Sequence, residues 1–79
     1  MILSKRASVR QTPTATVREW LARDVRGSIC EVTSHYGRRR YYLALARLDN
    51  GNQAILSRHR LRSAAIRSLS DYQERQACG

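Results

Sequence analysis

Two arginine runs are the chemically loaded parts of this chain: Arg38-Arg39-Arg40-Tyr41-Tyr42 and Arg58-His59-Arg60-Leu61-Arg62. A guanidinium presents a planar fork of donors that grips phosphate or carboxylate oxygens two at a time. A tyrosine beside it stacks on a base or hydrogen-bonds to it. This mixture of cations and aromatics is what nucleic-acid surfaces use. The predicted contact set is Arg38, Arg39, Arg40, Tyr42, Arg47, Arg58, Arg60 and Arg62, supplemented by Lys5, Arg6 and Arg10. Most would hold phosphates, and one would read a guanine edge. Against this stands a solvated strand end whose tyrosines pack on the core.

Other chemistries find less support. Cys30, Cys78, His35 and His59 lack the paired spacings of a zinc site, so no metal or other cofactor is expected. His35, Tyr36, Arg40, Tyr41 and His59 are the residue types of a metal-free ribonuclease, but no motif fixes their geometry. Glu31 and Asp49 are too isolated for a metal-dependent nuclease. There is no glycine-rich phosphate loop, serine-nucleophile motif or dinucleotide fingerprint. The leading reading therefore assigns no catalytic residue.

The charge explains why an anion is the expected partner. The 79 residues carry a net charge of +9. Residues 1–18 hold Lys5, Arg6, Arg10 and Arg18 with no acid, and the stretch 38–67 sets eight arginines against Asp49 alone. Lys5 is the only lysine. An arginine-rich codon supply would explain that ratio but not the excess of positive charge. Net charge speaks to partners and association rate rather than to fold.

The elements that would position these residues follow from periodicity. Residues 1–11 read as a basic arm and 12–79 as one small domain. The arm would lie in a nucleic-acid groove, fray, or dock Ile2 and Leu3 as an edge strand. Thr16-Val17-Arg18-Glu19 fits a capping box, with Thr12-Pro13 as an earlier start, and Val17, Trp20, Leu21 and Val25 form a helical stripe ended by Gly27. Trp20 is expected to anchor that helix on the sheet. Ile29–Tyr36 and Arg39–Leu48 alternate as strands, and Gln53–Leu56 returns as a third. Asn50-Gly51 between them predicts a two-residue type I′ turn, which places Leu45 opposite Leu56. Tyr41, Leu43 and Leu45 then share one face. Arg40, Tyr42, Ala44 and Ala46 share the other, where the small alanines leave a shallow surface for a partner. Tyr42 would face His59 if the third strand ran that far, and a one-residue bulge would reshuffle these partners. A last helix begins with Ser57 as cap, or Ser63, and buries Leu61, Ala65, Leu69 and Tyr72 with Ile66 beside them.

The predicted fold is thus α+β: an N-terminal helix, a three-stranded antiparallel sheet with an Asn-Gly hairpin, and a C-terminal helix. Three strands followed by a helix is similar in outline to domains that lay a small sheet in the DNA major groove, such as plant AP2-type and integrase arm-type domains. No motif is shared, so no residue role is carried over. The functional expectation is a small nucleic-acid-binding protein, DNA ahead of RNA, of the kind that regulates on a phage or plasmid. One alternative is a mobile-element inhibitor that docks on a host protein or ribonucleoprotein complex, as anti-CRISPR proteins do, since Arg and Tyr are also interface hot-spot residues. The other is the ribonuclease toxin. No stretch approaches the roughly 20 apolar residues of a membrane span. No secretory leader is recognisable, and a cytoplasmic location is expected. A homodimer is compatible with so small a core.

Overall fold

The computed structural model describes residues 1–37 and 39–78. Five strands and one helix follow in order: β1 (Ser8–Gln11), β2 (Ala15–Leu21), β3 (Gly27–Ser34), β4 (Arg40–Arg47), β5 (Gln53–His59) and α1 (Arg62–Cys78). The strands form one antiparallel meander in chain order. Two predicted features are overturned among the described residues: there is no N-terminal helix, and the sheet has five strands rather than three. That also removes the likeness in outline to the three-stranded DNA-binding domains.

Residues 15–21 form a strand because two neighbours claim their backbone. Val17 pairs with Arg10 of β1 and Val32 of β3, and Trp20 pairs with Ile29. Val17, Trp20 and Leu21 share a helical stripe; in the strand they divide, with Val17 and Leu21 on one face and Trp20 on the other, and tertiary pairing overrides the helical pattern. The basic segment is tied to the same strand. Leu3 bridges Ala22, the Ser4 amide donates to the Leu21 carbonyl at 2.8 Å, and β1 completes the edge. The edge strand thus forms at Ser8–Gln11, while at Leu3 there is only an isolated bridge rather than a strand of Ile2 and Leu3.

The hairpin forms where Asn50-Gly51 predicts it, with a longer loop. The Gly51 amide donates to the Leu48 carbonyl at 3.0 Å, and the Leu48 amide donates to the Asn52 carbonyl at 2.8 Å. Three residues, Asp49 to Gly51, therefore connect the strands, and Gly51 takes the left-handed conformation at φ +86°. The extra residue puts Leu45 opposite Ile55 instead of Leu56. A bulge between Ala44 and Leu45 then shifts the pairing back, so Ala44 meets Ser57 and Tyr42 meets His59, as expected for a strand that long.

Helix α1 covers one face of the sheet and makes the core with it. Ile29, Ala44, Ala65 and Leu69 are fully buried together, with Tyr42, Leu56 and Ile66 packed around them. Ala44 and Ala46 are shallow because the helix lies over them, so they offer nothing to an external partner. Gly27 permits the same approach: a Cβ there would stand 2.5 Å from the Leu45 carbonyl oxygen and 2.7 Å from Leu69 Cδ1. The helix starts at Arg62, not at Arg58, and neither Ser57 nor Ser63 caps it. Ser57 belongs to β5 and Ser63 lies within the first turn. Of the predicted stripe, Ala65 and Leu69 are buried while Leu61 is two-thirds exposed.

The opposite face curls upon itself. Gln53 Nε2 in β5 donates to Glu19 Oε2 in β2 at 3.4 Å. In a flat sheet three strand steps separate these backbones by about 14 Å, so the contact requires marked curvature. Ser28, Cys30, Val32 and Leu45 are buried on this concave face although no helix covers it. Ser28 Oγ also donates to Glu19 Oε2, at 2.8 Å. The concavity is thereby pinned at the end that carries the β2–β3 and β4–β5 turns.

Candidate nucleic-acid interface

A meander has two ends, and the arginines divide between them. At the unpinned end, the β1–β2 and β3–β4 turns and the close of β5 surround a groove of about 910 Å³. Arg39, Arg40, Arg58 and Arg60 line it, with Tyr41 and His59. Val32, Ala15, Thr14 and Ser34 complete its walls, and among the described residues no carboxylate lines it.

Strand alternation explains the grouping. Tyr41 pairs with Val32, so its ring lies on the concave face, and Arg58 opposite Leu43 projects to the same side. The Arg58 guanidinium carbon sits 5.2 Å from the Tyr41 ring centroid. That is cation–π distance and holds the guanidinium over the floor of the groove. Arg39 precedes β4, its carbonyl accepting from the Ser34 amide at 2.7 Å. Arg40 and His59 start on the helix side of their strands and flank the opening. All four arginines are exposed. Among the described residues the arginine in an ion pair is Arg26, held by Asp49 Oδ1 at 2.9 Å at the other end of the sheet. The groove cations are thus available to an external anion.

Helix α1 opens at the same end with no acid in its first turn, so its positive pole adds to the field there. The second arginine run was expected to lie within that first turn. Instead Arg58 and His59 finish β5, and only Arg62 is helical. The electrostatic cost of cations at a helix start falls on that one residue.

The other predicted contacts lie elsewhere. Arg38 falls outside the described residues. Tyr42 is on the helix side, packed against the core with its hydroxyl donating to Glu31 Oε2 at 3.1 Å, so it takes no part in the groove. Arg47 is at the pinned end, its amide donating to the Arg26 carbonyl at 3.3 Å. Arg62 lies over the Trp20 ring at 4.8 Å from the centroid. Trp20 is thus half-buried beneath a cation rather than an apolar helix face. Lys5 and Arg6 are exposed near the pinned end, before β1. Arg10 pairs with Val17 on the concave face, across the sheet from Tyr41. Tyr41 and His59 line the groove although neither is in the predicted set, and Thr14, Ala15, Val32 and Ser34 join them. For Tyr41 the register carries the signal: the strand face that holds Tyr41 also holds Arg58.

The histidines are separately engaged. His35 Nε2 lies 2.9 Å from Thr16 Oγ1. His59 Nε2 is 2.8 Å from Ser57 Oγ, which is 2.6 Å from Ser68 Oγ on α1. This chain fastens the close of β5 to the helix and so fixes the groove's outer wall. Cys30 is buried on the concave face, where desolvation first and the Glu19 carboxylate second push its thiol up to about 12. It is a packed thiol without nucleophilic character at neutral pH. Among the described residues no three of His, Cys, Asp and Glu gather as a metal set, and no helix is long and apolar enough to cross a membrane. Family models, curated proteins and solved structures offer no match to this chain, so what the groove binds is argued from its own chemistry.

Proposed function

We propose that the protein binds nucleic acid by its phosphodiester backbone, through Arg39, Arg40, Arg58 and Arg60 at the open end of the sheet. The observation that carries this reading is four exposed guanidinium groups around one groove that, among the described residues, no carboxylate lines. Like charges are gathered there without a carboxylate partner among the described residues, and an external polyanion relieves their mutual repulsion. Phosphate suits the site because arginine forks match its oxygens. Non-specific backbone binding of this kind supports a DNA-binding regulator, and RNA presents the same phosphodiester to the same arginines.

Fluorescence anisotropy of labelled DNA and RNA oligonucleotides at low salt tests it. The intact protein binds, the Arg58→Ala/Arg60→Ala variant binds at least tenfold more weakly, and Arg47→Ala binds as the parent does. Absence of binding to either polymer refutes the reading. Equal competition by polyglutamate also refutes it, and would favour an acidic protein partner, the docking alternative.

A further inference from the structure

We infer that the groove selects single-stranded nucleic acid over duplex, by stacking an unpaired base on the Arg58–Tyr41 pair. This rests on the phosphate-binding reading and adds the substrate class to it. Three features of the groove carry the inference.

The first is shape. The arginines surround a concavity instead of crowning a ridge. Duplex readers push a helix or a β-ribbon outward into the major groove. Here the corresponding backbone is the groove's own wall, and its floor is the concave face bearing Val32, Tyr41 and Ala15. A cationic channel with an aromatic residue in it is the arrangement that tracks a single strand.

The second is the kind of surface offered. A guanidinium held 5.2 Å from a phenol ring offers a planar, weakly hydrated cation beside an aromatic surface. Such a platform recognises the face of a base. In a duplex those faces are covered by neighbouring bases and only the edges are presented, so a base must leave the stack before it can use the platform. The rest of the floor agrees with this: Ala15, backed by the buried Val32, offers apolar contact to a base plane, while Thr14 offers a hydroxyl at its edge.

The third is placement. Arg39, Arg40 and Arg60 line the same groove as this platform. Phosphates bound by them would leave their attached base over Arg58 and Tyr41. The opposite end of the concave face is stopped by Glu19, which accepts from Ser28 and Gln53. A strand therefore engages the open end and does not thread the length of the sheet.

The test compares a short labelled single strand with a duplex of the same sequence, in DNA and RNA forms, at one salt concentration. The single strand binds at least about fivefold more tightly, the lower bound for stacking one base. Arg58→Lys keeps the charge and discards the plane; it lowers single-strand affinity at least fivefold while the salt dependence stays as in the parent. Tyr41→Leu removes the backing ring and shrinks the preference for the single strand, and Tyr41→Phe restores it. Circular dichroism confirms that each variant is folded, and Arg58, exposed over the groove floor, leaves the core untouched. Duplex binding equal to or tighter than single-strand binding overturns the inference while leaving the phosphate reading intact. So does parental single-strand affinity in Arg58→Lys. Failure of both forms to bind overturns both readings.

Discussion

The salt dependence of binding is the sharpest consequence of a local groove. Each phosphate neutralised by a cation releases condensed counterions, so log K falls linearly with log salt, by about 0.7 per contact for a single strand and 0.9 for a duplex. Four groove arginines, Arg58 included because its charge displaces a counterion from the strand even when its plane meets a base, give a slope of about −2.8 on a single strand. Raising salt from about 50 to 200 mM then weakens binding about 50-fold. Removing Arg58 and Arg60 halves the contacts; the slope becomes about −1.4 and the same salt step costs only about sevenfold. A diffuse positive surface behaves differently. If the 15 basic residues all took part, the slope would approach about −10, and deleting any one of them would have the same small effect. Anisotropy titrations at four or five salt concentrations distinguish these cases. The reasoning fails if Arg47→Ala flattens the slope as much as Arg60→Ala does, or if the parent slope is far steeper than four contacts allow.

Three further outcomes follow from the packing and the titrating groups. Gly27→Ala trades an unfolded-state gain of about 0.4–1 kcal/mol against overpacking of about 1–3 kcal/mol. Overpacking wins because the nearer obstacle, at 2.5 Å, is the Leu45 carbonyl, which is backbone and cannot swing aside; a urea midpoint at or above the parent's contradicts this. Cys30, in a Cys78→Ser background, resists alkylation in the native protein at pH 9 and reacts at once when unfolded. Its folded value of about 12 lies above the ordinary 9.0, so its share of stability is complete below pH 9 and drains away as pH climbs through 12. A Cys30→Ala variant with an unchanged alkaline limb is the contrary result. Asp24 is held below its ordinary value, chiefly by the Ile2 amide that donates to it at 2.9 Å. That anchoring is present above the usual carboxylate range and is lost as pH falls through the lowered value. Acid should therefore free the N-terminal residues before the sheet melts, seen as early loss of amide protection at residues 2–4, and Asp24→Asn should remove the pH dependence.

How much of this was legible in the residues differs from element to element. Ile29 to Ser34 and Arg40 to Arg47 announced themselves by alternation, and Asn50-Gly51 located the hairpin between β4 and β5. Residues 15–21 did not, because Glu19 disguises them. On the concave face the sequence runs Ala15, Val17, Glu19, Leu21, and the acid breaks what would otherwise be an apolar row. Its carboxylate suited a capping box with Thr16. In the fold it turns inward and is satisfied by Ser28 and Gln53, the latter 34 positions away. No local pattern contains that partner. The close of β5 was hidden in a similar way. The bulge sets Leu56 and Ser57 out of step with the alternation, and Ser57, an ordinary helix cap by type, spends its hydroxyl on Ser68 and His59. With the helix started too early, Arg58 and Arg60 fell on a helical turn instead of a strand edge. The candidate groove was therefore half visible: its arginines came from composition, and their convergence on Tyr41 came only from register.

The distribution of the acids bears on whether the basicity has a purpose. A codon supply that favours arginine would scatter it over the surface, with acids interspersed at random. Arginines occur at both ends of the sheet, but the acids keep away from the groove. Asp24 and Asp49 occupy turns at the pinned end, and Asp49 is paired with Arg26 there. Glu19 is turned into the concave face, and Glu31 accepts from Tyr42 on the helix side. Asp71 and Glu74 sit beyond the first turn of α1. The end that holds Arg39, Arg40, Arg58 and Arg60 has no acid along its groove. Repulsion among those four cations opposes folding, and nothing in the core depends on it. A charge arrangement that costs stability and contributes nothing to packing is most simply maintained by a ligand. Exchanging Arg60 for Gln should accordingly stabilise the free protein slightly in low salt while weakening its hold on an oligonucleotide. If Arg60→Gln instead destabilised the free chain, the guanidinium would be serving the fold, and the case for an anionic ligand at this end would lose its physical basis.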